Sequence, residues 1–379
     1  MKYSDVAAVT SIGTVFKGNK TIETFDEFEN FTGITSISGG WNSGAFDGCT
    51  SLETIKLPKS ITSLGTACFN NCSSLKSITL PDTITYIGSA AFKNCSQLVI
   101  DGLKLPNLKT VDNEDTFKNT LLSGELNLPS LSSVGITSFG YTQISSVTSL
   151  GSITALPDAP NDDHGVFNSC KQLKSVALPS VLTKIGSRSF MNCTALDTLI
   201  LDWANITSIG YNAFYNCTSL VIEDLSLPNL TSLGQNALYD VKIKKISNLG
   251  SITSLPRANA NTKNYGSVKT LLEVTLPDTI TSIPANSFLA YKYLERVTAH
   301  NVEVINDGAF SGCTSLNYIT LHNVKTIGSE AFRNCKLDGE LSLPNASGNI
   351  GFMAFAGTKI TSVTTLGNIT SLCAPTSWF

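Results

Sequence analysis

At 379 residues the chain is long enough for two or three ordinary domains, and a hydrophobic content of 42% suffices for a continuous core. Only 15% of residues are charged, against roughly a quarter in a typical soluble chain, so Ser, Thr and Asn are expected to dominate the exposed faces. A net charge of −3 supplies no basic stripe for phosphates, which argues against nucleic acid as a partner, and no run of about 18 apolar residues is present to insert in a membrane.

The chain opens Met1-Lys2-Tyr3-Ser4-Asp5 with no apolar segment of the signal-peptide kind. That leaves three readings: a cytosolic protein, a virion component, or a mature or truncated piece of an exported protein. Residues 1–38 do not follow the pattern of the rest and are read as an N-terminal cap. Thr24 followed by Glu27 has the capping-box spacing and predicts a short helix. Phe25, Phe28 and Phe31 would then share one helical face and pack on the core.

From residue 39 onward one phrase returns in register. Ala45-Phe46-Asp47-Gly48-Cys49-Thr50-Ser51-Leu52 is answered by Ala91-Phe92-Lys93-Asn94-Cys95-Ser96-Gln97-Leu98, and again from Ala213 and Ala309. The anchor aromatic or its substitute falls at Phe46, Phe69, Phe92, Phe117, Phe139, Phe167, Phe190, Phe214, Leu238, Tyr265, Phe288, Phe310, Phe332 and Phe355. These are 14 units about 24 residues apart, inside the leucine-rich-repeat range. Two positions after the anchor stand Gly48, Asn71, Asn94, Asn192, Asn216, Gly312 and Asn334, residue types that tolerate positive φ. In the unit that follows Phe69, Leu75, Ile78 and Leu80 are expected to point inward from a short strand that stops at Pro81. A second extended stretch, Ile84 to Ile87, closes at Gly88. No unit can bury its apolar face alone, so the units must stack.

These phrases closely resemble the BspA-like leucine-rich repeats found in surface proteins of anaerobic bacteria, in some parasitic protists and in gut phage proteins. The resemblance implies a β-rich repeat solenoid, a right-handed leucine-rich-repeat superhelix of short parallel strands behind a cap with a short helix. It also implies a non-enzymatic surface or secreted adhesion module whose partner is a host matrix protein or another cell-surface protein. The alternative is a structural or receptor-binding part of a phage particle, hence a virion location. No cofactor is expected, and no catalytic motif of a recognised kind occurs.

Cys-free units ending in Ser149-Leu150-Gly151, Asn248-Leu249-Gly250 and Thr365-Leu366-Gly367 divide the solenoid into blocks 39–156, 165–255 and 265–379. The irregular inserts Pro157–His164 and Pro256–Asn264 are expected to project as loops, with Asp162, Asp163, His164, Arg257 and Lys263 as candidate contacts. Asp162, Asp163 and His164 also suggest a weak cation site, set against an ordinary solvated loop. Eight Cys (Cys49, Cys72, Cys95, Cys170, Cys193, Cys217, Cys313 and Cys335) share one repeat position, three after the anchor. They read as a buried column of small apolar thiols rather than disulfides or zinc ligands. His300 and His322 stand in successive units at a strand end and read as solvent-edge residues.

The position directly after the anchor is polar or bare at Asp47, Asn70, Lys93, Lys118, Gly140 and Asn168, and is expected to face solvent. It turns apolar at Met191, Tyr215 and Tyr239, and again at Leu289 after Gly266. These four are the candidate partner-binding stripe, because Tyr and Met are enriched at interface centres. The stripe predicts that Tyr215 and Tyr239 lie on one face and are each more than a third exposed; local packing beneath the second insert is the competing reading.

Overall fold

The computed structural model describes residues 6–40, 43–256 and 265–372. Each of its two compact units, Met1–Leu201 and Asp202–Phe379, is a stack of short parallel strands with almost no helix, the β-solenoid expected from about 14 repeats.

In the first unit successive turns contribute strands to two ladders. One runs through Ser36–Ile37, Ser63–Leu64, Tyr86–Ile87, Thr110–Glu114 and Ser133–Ile136. The other begins with Thr24–Phe25, Thr54–Lys56 and Ser77–Thr79. It resumes with Val99–Lys104, Leu121–Asn127, Gln143–Ser149, Ser175–Ala177 and Thr198–Ile200. Every registered pair is parallel, as it must be when one turn sits on the last. Ile78 and Leu80 are only half-buried, unlike Ile55 and Leu57 one turn earlier. The ladder ends at this strand: Ser77–Thr79 pairs with Thr54–Lys56 on one side only, while the next strand, Val99–Lys104, pairs with Leu121–Asn127.

The core of each turn is the anchor ring. From Phe16 through Phe46, Phe69, Phe92, Phe117, Phe139 and Phe167 to Phe190, successive rings stack with centroids 5.1–5.8 Å apart and planes within 15° of parallel. Offset stacking of this kind adds about 0.5–1.5 kcal/mol per pair beyond area burial. The second unit repeats it from Tyr265 through Phe288, Phe310 and Phe332 to Phe355. Two residues after the anchor the backbone enters the left-handed region at all the Asn and Gly positions expected, for example Asn71 at φ +59° and Gly312 at φ +75°. The Asn side chains then bond along the stack: Asn94 Nδ2 donates to Asn71 Oδ1 (3.0 Å) and Asn119 Nδ2 to Asn94 Oδ1 (2.8 Å).

The eight in-register thiols are buried and free, but they are more than apolar filler. The Cys72 Sγ–H donates to the carbonyl of Phe46 (3.1 Å), Cys95 to Phe69 (3.0 Å), Cys170 to Phe139 (3.0 Å), Cys193 to Phe167 (3.1 Å) and Cys313 to Phe288 (3.0 Å). Each thiol thus ties its turn to the anchor carbonyl of the turn before. Where Thr120 and Thr142 replace Cys, the hydroxyl donates to its own turn's anchor carbonyl instead (2.8 and 2.6 Å).

The segment before the repeats departs from expectation. Thr24 is not a helix cap. It lies in the strand Thr24–Phe25, paired with Thr54–Lys56, and the helix that follows is a five-residue 3-10 turn, Asp26–Asn30, without a side-chain cap. Pairing with the first ladder strand satisfies the backbone there, so the capping box has no role. Phe25, Phe28 and Phe31 do converge, with centroids 5.2–5.9 Å apart, and Phe28 is fully buried.

Candidate functional site

Four of the candidate residues occupy a turn that is less open than the sequence suggested. The position after the anchor lies beside its counterparts in neighbouring turns, so its side chains bond laterally rather than projecting. Asn70 Nδ2 donates to Asp47 Oδ1 (3.0 Å), and Lys93 pairs with Asp115 of the next turn (2.6 Å). Asn168 is wholly buried, which corrects the expectation that this column faces solvent. Met191 and Leu289 are half-buried. Tyr215 and Tyr239 share one face and stack at 4.6 Å with planes 18° apart, the apolar version of the same lateral ladder. Both are half-buried, and each ring covers one face of the other. Burial, with Asp240 alongside, raises the Tyr239 phenol above its ordinary value.

The first insert is irregular but strapped down. Asp158 pairs with Lys184 and accepts from the Ser187 N–H (2.8 Å) and hydroxyl (2.9 Å). Burial alone would raise the Asp158 carboxyl, but the Lys184 ammonium and the two Ser187 donors outweigh it and hold it below the ordinary value. Asp162 meets Arg188 Nε at 2.6 Å, and Arg188 Nη1 reaches the Ala159 carbonyl at 2.8 Å. The Asn168 amide donates to the carbonyls of Asp162 (2.7 Å) and His164 (2.9 Å). Asp163 offers its carbonyl to Lys118 (3.3 Å), and His164 shares a hydrogen bond with Asn161 through Nδ1. Asp162 and His164 are therefore engaged in holding the loop. Among the described residues no three His, Cys, Asp or Glu side chains are placed to hold a metal ion. Arg257 and Lys263 lie outside the described residues.

The most exposed recognition chemistry is elsewhere, on the strand face of the second unit. Strands Val221–Ser226, Lys242–Asn248, Glu273–Thr275, Arg296–Thr298 and Tyr318–Ile319 pair in that order. Register aligns Asp224, Lys245, Glu273, Arg296 and Tyr318 across the sheet. Charge alternates along this column. Lys245 Nζ is 3.6 Å from Glu273, and the Arg296 guanidinium lies 4.2 Å over the Tyr318 ring. Tyr318 is 42% exposed and nearby in sequence Tyr293 is 53% exposed. The neighbouring column carries the aligned Thr275 and Thr298. In the first unit the corresponding column runs Glu125, Ser146, Ser175 and Thr198, with a charge only at its first position. Sequence reading passed over Arg296 and Tyr318 because it followed the anchor turn. The signal was present in Leu294-Glu295-Arg296-Val297 and Leu316-Asn317-Tyr318-Ile319, where alternation puts Arg296 and Tyr318 on the outer face of strands whose Val297 is buried.

Solved structures of similar chains exist. A leucine-rich repeat protein from Bacteroides ovatus ATCC 8483 is similar at 23% identity over 89% of this chain and 78% of its own, with a TM-score of 0.56. One from Eubacterium ventriosum ATCC 27560 is similar at 18% identity over 82% and 84% of the two chains, with a TM-score of 0.41. At these identities the likeness is one of fold. No curated protein matches. Six copies of the BspA type leucine rich repeat region match residues 40–160, 163–265 and 261–376, most of the chain and the same stretch that carries the anchor rings and thiols. The chain belongs to the BspA-type leucine-rich-repeat family.

Proposed function

We propose that this chain is a protein-binding module, displayed at a cell surface or secreted, that docks a protein partner on the strand face of its second unit. Leucine-rich-repeat proteins of this kind are generally binding proteins rather than catalysts. No helix among the described residues is long and apolar enough to cross a membrane. The observation that carries the reading is the column Asp224, Lys245, Glu273, Arg296 and Tyr318. It gathers alternating charges and an exposed Arg–Tyr pair on rigid, hydrogen-bonded strands, in a protein where only 15% of residues are charged. Arg and Tyr are the residue types that most often dominate binding energy, and a rigid platform loses little entropy on docking. An alternating column also selects a partner of opposite pattern, which gives specificity more than raw affinity.

The test is surface plasmon resonance of the purified chain against a panel of matrix and cell-surface proteins. Arg296→Ala combined with Tyr318→Ala is the principal variant, and Tyr215→Ala combined with Tyr239→Ala the comparison. The strand-face variant should lose at least tenfold in affinity with its melting temperature kept, while the turn variant binds as the parent does. Loss confined to the turn variant would move the site to the Tyr215–Tyr239 stack.

A further inference from the structure

One corner of the second unit carries three consecutive amides. Thr279, Asn301, Asn323 and Asn345 occupy equivalent positions just after the strand face, one per turn. Asn301 Nδ2 donates to the Asp278 carbonyl (3.0 Å), Asn323 Nδ2 to that of His300 (2.7 Å) and Asn345 Nδ2 to that of His322 (2.9 Å). Because a carbonyl can only accept, each bond fixes which end of the amide faces the backbone. The three Oδ1 atoms are left as a fixed row of acceptors, one per turn, spaced by the strand separation of about 4.8 Å.

These amides line an open groove of about 540 Å³ whose other walls are Asp278, Thr281, Glu303 and Lys325. Glu303 and Lys325 pair at 2.7 Å, so the lining offers donor and acceptor together. In the first unit the same corner bond is made by one amide between two hydroxyls. Asn107 donates to the Asp82 carbonyl, and Thr83 and Ser130 donate to those of Lys59 and Pro106. A hydroxyl that gives its one proton to the backbone presents no comparable amide oxygen.

We propose that this groove is a binding site for a neutral, linear oligosaccharide lying along the stack. Every lining residue has a polar side chain, which disfavours an apolar peptide or lipid. One of its two carboxylates, Glu303, is already paired with Lys325, which disfavours a dedicated cation site. What the groove does present is a row of pre-oriented acceptors repeating at close to the length of one pyranose residue. Each can accept a hydrogen bond from a successive sugar hydroxyl, while the Glu303–Lys325 pair can accept one and donate one. Preorganisation matters here because a flexible wall would have to be ordered on binding. This site is separate from the column of Asp224 to Tyr318 and does not depend on a protein partner docking there.

The experiment is saturation-transfer NMR and calorimetry on the full chain, with cellohexaose, maltohexaose, laminarihexaose and chitohexaose as probes. At least one should bind at millimolar concentration or tighter, and Asn323→Leu should weaken it by about tenfold or more. Asn107→Leu, at the matching corner of the other unit, should leave binding unchanged. If Asn323→Leu fails to fold, Glu303→Leu reads the same groove, since the Glu303 side chain bonds only to Lys325 among the interactions described. Absence of binding by all four sugars would overturn the proposal. So would binding that survives both groove variants, or that disappears in Arg296→Ala with Tyr318→Ala.

Discussion

The single residue that best shows the logic of the repeat is Cys72. Its thiol lies fully buried between turns and donates to the Phe46 carbonyl, so it fills space and closes a hydrogen bond at once. Replacing it with Ala removes both, and the cost should be about 1–2 kcal/mol in urea denaturation. A purely apolar column would lose only the volume, and Cys72→Val would then match the parent; the hydrogen bond predicts that Val is also destabilising. The thiols have a second consequence. Burial pushes Cys49 and Cys170 up to about 11, and Cys335 up to about 12, from an ordinary value near 9.0. The folded chain therefore keeps protons that the unfolded chain releases above pH 9. The stabilisation is complete below pH 9 and is lost as pH rises toward 11. Melting curves should fall over that window, and iodoacetamide at pH 8 should label the described thiols only after denaturant is added.

At the scale of the element, the insert Pro157–His164 is a strap. A projecting loop could be cut back to a Gly-Ser link with no change in melting temperature. Here such a cut would strand the fully buried Asn168 amide, whose acceptors are the Asp162 and His164 carbonyls. Leaving a buried donor unpaired costs about 1–3 kcal/mol, so excision should lower the melting temperature by several degrees. The ion pairs contribute less, since Lys184 and Asp158 are 38% and 50% exposed and exposed pairs are largely screened. Because the Asp158 carboxyl sits below its ordinary value of 3.8, its share of the strap persists above that pH and is lost as pH falls further. The protection factor of the Ser187 amide, which donates to Asp158, should therefore fall in acid when native-state hydrogen exchange is corrected for the intrinsic rate.

Over the whole chain, stability is expected to follow position in the ring stack. Phe92 is sandwiched between Phe69 and Phe117 and fully buried, whereas Phe355 is half-buried and stacks on Phe332. Phe92→Ala should cost about 3–5 kcal/mol, the range for emptying a buried aromatic site. Phe355→Ala should cost distinctly less. In a solenoid each turn contacts only its neighbours, so an interior loss weakens two interfaces and a terminal one weakens a single interface. Equal penalties at the two positions would show that stacking between turns is not what the rings supply.

The repeat period, the anchor rings, the left-handed Asn and Gly positions and the burial of the thiols were all legible in the residues, because each is a local demand repeated turn after turn. The resemblance to BspA-like repeats rests on that repetition. What lies between turns was not legible. That thiols donate to the preceding anchor carbonyl, that Tyr215 and Tyr239 cover each other, and that the first insert is bolted down by Arg188 all depend on residues 24 to 31 positions apart meeting in register. The helix start failed for the same reason: Thr24 and Glu27 have capping-box spacing, but pairing with Thr54 gives the backbone a better partner. The column from Asp224 to Tyr318 and the amide row from Asn301 to Asn345 exist only once parallel pairing has set the register. One repeat read alone gives each side chain's inward or outward direction, and stacking decides what stands beside it.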